Sequence, residues 1–121
     1  MKTPPSKSLS STQKGVAAEC AALHYLEQQG LTLIERNFSS RFGEIDLIMW
    51  QQHTLVFIEV RKRNNLNFGG AAASVGLAKQ DKLWKTAQIY LQRYTSPPAC
   101  RFDLLAFEGG KVAWLQDFIN R

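Results

Sequence analysis

The sequence predicts a layered α/β domain, a mixed β-sheet flanked by helices in the order α-β-β-β-α-β, and three observations carry that expectation. Apolar residues recur at helical spacing in two separated stretches, 13–29 and 75–94. Between and after them lie short alternating segments rich in β-branched and aromatic residues, divided by Gly, Pro and Ser turns. Helices that bury one stripe and strands that bury one face pack most economically as layers.

Residues 1–12, MKTPPSKSLSST, read as a flexible tail, because Pro4 and Pro5 block regular structure and the serines bury nothing. A single domain is expected over 13–121. Its first helix, 13–29, sets Val16, Cys20, Leu23 and Leu26 on one stripe, and Gly30 stands where it should stop. LTLIERNF, 31–38, reads as a strand, a polar turn through Ser39 and Ser40 leads to the strand GEIDLIMW, 43–50, and a turn at Gln51 and Gln52 leads into TLVFIEVRKR, 54–63. This is an antiparallel meander. The Gly- and Asn-rich segment 64–70 reads as a flexible loop suited to admitting a substrate. The second helix, 75–94, carries Leu83, Ala87 and Leu91 on one stripe, with Lys79, Lys82, Lys85 and Arg93 among its polar positions, and ends before Pro97 and Pro98. RFDLLAF, 101–107, a Gly109-Gly110 turn and KVAWLQDF complete the sheet.

With 121 residues, 45% hydrophobic and 21% charged, the chain has the size and composition of one globular domain. No apolar run approaches the roughly 18 residues of a membrane span, and no export signal is visible, so a cytoplasmic protein with no membrane partner is expected. Two cysteines, Cys20 and Cys100, make neither a disulfide framework nor a CxxC metal pair and read as buried free thiols. A net charge of +5, from 15 Lys+Arg against 10 Asp+Glu, favours a polyanionic partner.

The acids stand in unexpected places. Glu19 shares the i, i+3, i+4, i+7 relation with Ala22, Leu23 and Leu26, so it lies on or beside the buried stripe, where a carboxylate needs a partner. Strand alternation sets Glu44, Asp46, Ile48 and Trp50 on one face and Ile45, Leu47 and Met49 on the other. Phe57, Glu59 and Arg61 likewise share a face. With the hairpin turning at 51–52, Asp46 falls opposite Phe57 and diagonal to Glu59, about 7–8 Å away at Cα, and Glu44 falls closer still. Glu59 also interrupts the apolar run LVFIEV. Carboxylates without thiolates or paired histidines describe an oxygen-only site suited to Mg²⁺ or Mn²⁺. Such an ion supports phosphodiester hydrolysis, with Arg61 toward the phosphate and Lys62, Arg63, Lys79 and Lys82 along the nucleic-acid backbone. Each acid also has a plainer reading. Glu59 with Arg61 makes a structural ion pair, Asp46 a polar strand end, Glu44 a solvent-facing group or a partner of Arg41, and Glu19 a partner of Arg36 or Arg101. His24 and His53 are isolated, and Trp50, Trp84 and Trp114 read as core or interface.

Four segments together resemble one family: the helix around Gly15 and Glu19, RNFSSRFGEIDLI, VFIEVRKR, and KQDKLWKTAQIYL followed by RFD. The chain resembles the YraN family of bacterial proteins, and through it is similar to the PD-(D/E)XK phosphodiesterases, including archaeal Holliday-junction resolvases. The resemblance implies a restriction-endonuclease-like three-layer core and metal-dependent cleavage or binding of nucleic acid, preferably branched DNA. It also implies Glu19, Asp46 and Glu59 as metal ligands, Asp46, Glu59 and Arg61 as the catalytic positions, and a homodimer. The superfamily's lysine falls on Arg61, and a guanidinium does not give up its proton to act as a base. A nucleic-acid-binding module without turnover, and a protein-interaction domain with a structural acid cluster, stand as the alternatives.

Overall fold

Helix α1 (Ser11–Gln28) leads into a meander of β1 (Thr32–Ser40), β2 (Gly43–Gln51) and β3 (Thr54–Arg63), and α2 (Leu77–Leu91) carries the chain to β4 (Cys100–Glu108) and β5 (Lys111–Leu115). The computed structural model describes residues 11–63 and 74–119, without the side chains of 11–14 and 63. The expected tail therefore lies outside the described residues except at Ser11 and Thr12, which are already helical, and the expected loop 64–70 lies outside them altogether.

The five strands form one sheet in the order β1-β2-β3-β4-β5. Neighbours are antiparallel except β3 and β4, which run parallel because the connection through α2 returns the chain to the same end of the sheet. Helices cover both faces, as the layered α/β reading expects. On one face Ala22 and Leu26 of α1 pack with Leu47, Met49, Val56, Ile58 and Leu105. On the other, Leu83, Ala87, Tyr90 and Leu91 of α2 pack with Ile45, Ile48, Leu55, Phe57 and Leu104. Each of the Leu, Ile, Val, Met and Phe side chains among them contributes roughly 1.5–3 kcal/mol by leaving water. Trp50 and Trp84 pack against the second cluster and Trp114 against the first, in line with their core reading.

The end of α1 follows from sequence. Gly30 takes φ +96°, Leu31 N–H donates to Leu26 O at 3.1 Å and Gly30 N–H to Glu27 O at 3.0 Å, a paired closure that glycine permits at this position. Leu31 then joins Leu26 in the same core cluster.

Both hairpin turns sit later than the sequence suggested. The β1–β2 turn is Arg41–Phe42, not Ser39–Ser40, because β1 continues to Ser40, which pairs with Gly43. The Ser40 hydroxyl supports the turn by accepting the Phe42 N–H at 3.0 Å. The β2–β3 turn is Gln52–His53 rather than 51–52, with Gln52 at φ +54° and Gln51 paired to Thr54. The first-helix stripe also needs correction, since Val16 is 52% exposed and Cys20 is exposed. Only the C-terminal half of α1 seats on the sheet; the N-terminal half overhangs a cavity that Gly15 and Ala18 line. Cys100, the first residue of β4, is exposed too, so neither thiol is buried as expected. Among the described residues no helix is long and apolar enough to cross a membrane.

Candidate metal centre

The register of β2 against β3 decides where the acids meet. Phe57 lies opposite Ile48, not Asp46, because the turn is displaced by one residue and the register therefore by two. The ladder is continuous from Gln51↔Thr54 to Leu47↔Ile58, and beyond it the Val60 N–H donates to Asp46 Oδ2 at 2.8 Å. Asp46 thereby takes the place beside Glu59 that the earlier register assigned to Glu44.

A second irregularity turns the acids toward α1. Strict alternation puts Ile45 with Leu47, yet Ile45 packs under α2 with Ile48, while Leu47 packs under α1. The break falls at Asp46. Directly across in β1, between the pairs Arg36↔Leu47 and Phe38↔Ile45, Asn37 adopts φ +54°. A left-handed residue in a strand reorients its neighbours, as bulges do. One carboxylate oxygen each from Glu19, Glu44 and Asp46 then fall within 4.8 Å of one another.

These acids open onto a cavity of about 580 Å³. Glu19, Glu44, Asp46 and Glu59 line it together with Arg61, Lys62 and Lys79. Glu59 is only 6% exposed. Its Oε2 accepts from Arg61 Nε at 3.1 Å and faces Lys79 Nζ at 3.8 Å, so the ion pair foreseen as its plainer reading is present. Despite those cations, burial and then the charge of Asp46 push the Glu59 carboxyl up to about 7, and the two side chains are hydrogen-bonded. Burial raises Asp46 as well, against the opposing effect of the Val60 N–H. Glu19 is raised by burial first and Asp46 next, while its hydrogen bond to Asn37 and the charge of Arg36 pull it down. In all three, burial is the largest cause of the rise, and the neighbouring acids add to it.

The remaining candidates separate by position. Lys62 is exposed at the rim, Lys79 faces Glu59, Lys82 is exposed and lies against Gly43 outside the cavity lining, and the side chain of Arg63 lies outside the described residues. Neither proposed guanidinium forms a close ion pair with Glu19. Arg101 binds Asp103, and Arg36 donates to Cys20 Sγ at 3.4 Å. Glu44, expected at most as an auxiliary group, belongs to the three-oxygen cluster and accepts from Ser39 Oγ at 3.2 Å. Its position two residues before Asp46, on the same face by alternation, was the available signal. Gly15 and Ala18 matter by being small, leaving the cavity open beneath α1.

Four carboxylates without sulfur or imidazole suit a hard divalent cation such as Mg²⁺ or Mn²⁺, whose charge would offset the repulsion among them. Comparison with known proteins places the chain among relatives. It is 57% identical over 106 residues to a UPF0102 protein of Janthinobacterium sp. (strain Marseille), covering 88% of this chain and 86% of that one. A UPF0102 protein of Herminiimonas arsenicoxydans is 55% identical over 106 residues, with the same coverage, and one of Psychromonas ingrahamii is 52% identical over 109 residues, covering 88% and 89%. Residues 18–107, from α1 to the end of β4 and so including every acid of the cavity, match the model of the uncharacterised protein family UPF0102, and the chain belongs to that family, also called YraN.

Proposed function

We propose that the protein is a metal-dependent nuclease that binds and hydrolyses phosphodiester bonds, with DNA, in branched form, as the substrate class that the resemblance to resolvases suggests. The observation that carries this reading is the meeting of Glu19, Glu44 and Asp46 oxygens within 4.8 Å of one another in a cavity that Arg61, Lys62 and Lys79 also line. Anionic ligands for a cation beside cations for an anion is the arrangement a metal-assisted attack on a phosphate requires.

Glu19, Glu44 and Asp46 would hold the ion, with Glu59 joining on loss of its proton. When bound, Mg²⁺ or Mn²⁺ supplies Lewis acidity toward a phosphoryl oxygen and lowers the pKa of water. The chain's own groups do the rest. Arg61, kept in place by Glu59, is a permanent cation and serves to orient and neutralise the phosphate, not to take a proton. Lys79 and Lys62 add positive charge to the same cavity. Glu59, poised near neutrality, is the group able to exchange a proton within the site. The likeness to PD-(D/E)XK enzymes adds to this reading, and a C₂ dimer acting on two symmetric cuts would accompany it.

A second reading rests on Arg61 itself: with no lysine at that position, the fold binds nucleic acid without turning it over. Titration calorimetry with Mn²⁺, together with incubation of branched, duplex and single-stranded DNA, separates the two. Wild type is expected to bind Mn²⁺ and nick DNA, with Asp46→Ala weakening the metal at least ~10-fold. Binding of DNA without cleavage by wild type or Arg61→Lys moves the assignment to the second reading. Absence of Mn²⁺ binding overturns the metal centre.

A further inference from the structure

The tip of the β1–β2 hairpin carries a cluster that neither the core nor the cavity uses. Phe38, Phe57, Phe102, Phe107 and Phe118 all pack into one or other of the two core clusters, whereas Phe42, alone among the described phenylalanines, belongs to neither. Its ring instead holds two cations: the Arg41 guanidinium 4.8 Å and the Lys85 ammonium 5.4 Å from its centroid. Lys85 also pairs with Asp81 at 3.0 Å, and Lys82 is exposed beside Gly43. Two cations thus contact one aromatic ring, and one of them also pairs with a carboxylate.

The tip is built to hold its shape. Ser40 Oγ accepts the Phe42 N–H at 3.0 Å and lies 2.8 Å from Thr86 Oγ1, which is fully buried in α2. That hydroxyl contact fixes the two-residue turn to the helix carrying Lys82 and Lys85. The patch is continuous with the cavity in two ways. Glu44, two residues beyond Phe42, is one of the clustered acids. Lys79, Lys82 and Lys85 follow one another at i, i+3 and i+6, steps of about 4.5 Å along α2, from the residue facing Glu59 to the residue on Phe42.

We infer that Arg41, Phe42, Lys82 and Lys85 form a docking site for the phosphate backbone of a nucleic-acid strand whose neighbouring phosphate enters the acid cavity. A row of cations at short, regular intervals leading into a cationic cavity wall is complementary to a polyanion laid along it. An aromatic ring that orders two of those cations removes part of the entropy their side chains would otherwise lose on contact. The inference rests on the nuclease reading for the direction in which the strand runs, but is tested apart from metal and turnover.

Fluorescence anisotropy in EDTA, with a labelled single-stranded oligonucleotide, a duplex and a four-way junction, is the measurement. Arg41→Ala/Lys85→Ala is expected to weaken binding of the probes ~10-fold or more and to lower the slope of log K against log salt by about 1–2. Lys111→Ala, at the β4–β5 turn outside the patch, removes the same kind of charge and should change affinity less than ~2-fold. Phe42→Leu keeps an apolar tip without the π face and should weaken binding, with the melting temperature confirming the fold. Equal losses from Lys111→Ala and the double variant reduce the effect to bulk charge and overturn the docking site. An unchanged salt slope in the double variant, with binding lost in Lys79→Ala, overturns it while leaving the nuclease reading intact. Failure of wild type to bind any of the three probes at low salt removes both.

Discussion

Two places in one sheet bury carboxylates, and they are treated in opposite ways. Asp103 in β4 is 0% exposed and fully partnered. Arg101 donates to it through Nε at 2.9 Å and a second nitrogen at 3.0 Å, Trp114 Nε1 donates at 2.9 Å, and the Asp117 N–H at 2.9 Å. One acid there receives four donors. At the other place buried Glu59 and part-buried Asp46 are pressed together with Glu19 and Glu44 nearby, and both are held above their ordinary range. A satisfied charge serves packing, because its removal leaves a buried guanidinium and an indole N–H without an acceptor. A cluster of like charges, only partly offset by Arg61 and Lys79, costs stability that a bound cation would recover.

The contrast is broken or sharpened by measurement. The largest effect is expected from Asp103→Ala, a loss of about 3–5 kcal/mol in urea unfolding, since Arg101, Trp114 and the Asp117 N–H all lose their acceptor. A loss below about 1 kcal/mol would put Asp103 in the same class as the cavity acids. Next comes the pH dependence of the metal-free protein. The folded chain keeps the Glu59 proton up to about 7 while the ordinary carboxyl releases it near 4.5. Between those values the native state binds more protons than the unfolded one, so the stability from this group is complete below the lower value and is lost as pH rises through the upper. The melting temperature should fall across that window by several degrees, at about 4–8 °C per kcal/mol in a small domain. Mn²⁺ should cancel the fall, because metal binds the deprotonated acids. The smallest effect is expected from Glu59→Gln, within about 1 kcal/mol of wild type without metal, together with a flatter pH profile and weaker Mn²⁺ binding. A loss like that of Asp103→Ala would show that Arg61 and Lys79 make Glu59 a structural anchor.

Much of this was legible along the chain. Glu59 stood out because it interrupts LVFIEV, and Glu19 because it shares a helical face with Ala22 and Leu26. Both line the cavity. Glu44 was undervalued and Asp103 was not singled out, for different reasons. The place of Glu44 depends on a break in alternation at Asp46, opposite the left-handed Asn37, and nothing in the pattern GEIDLIMW announces that break. The role of Asp103 depends on a tryptophan and a backbone N–H from residues 114 and 117, contacts made only when the chain beyond β4 folds back on it.

By itself the sequence determined the elements and their layering, since helical and alternating periods of apolar residues dictate which faces must leave water, and it marked the acids because charge on such a face is costly. The tertiary structure decided the register, the direction each acid points and the company it keeps. A one-residue displacement of the Gln52–His53 turn moves the pairing by two, and that step, invisible to any local pattern, sets Asp46 beside Glu59.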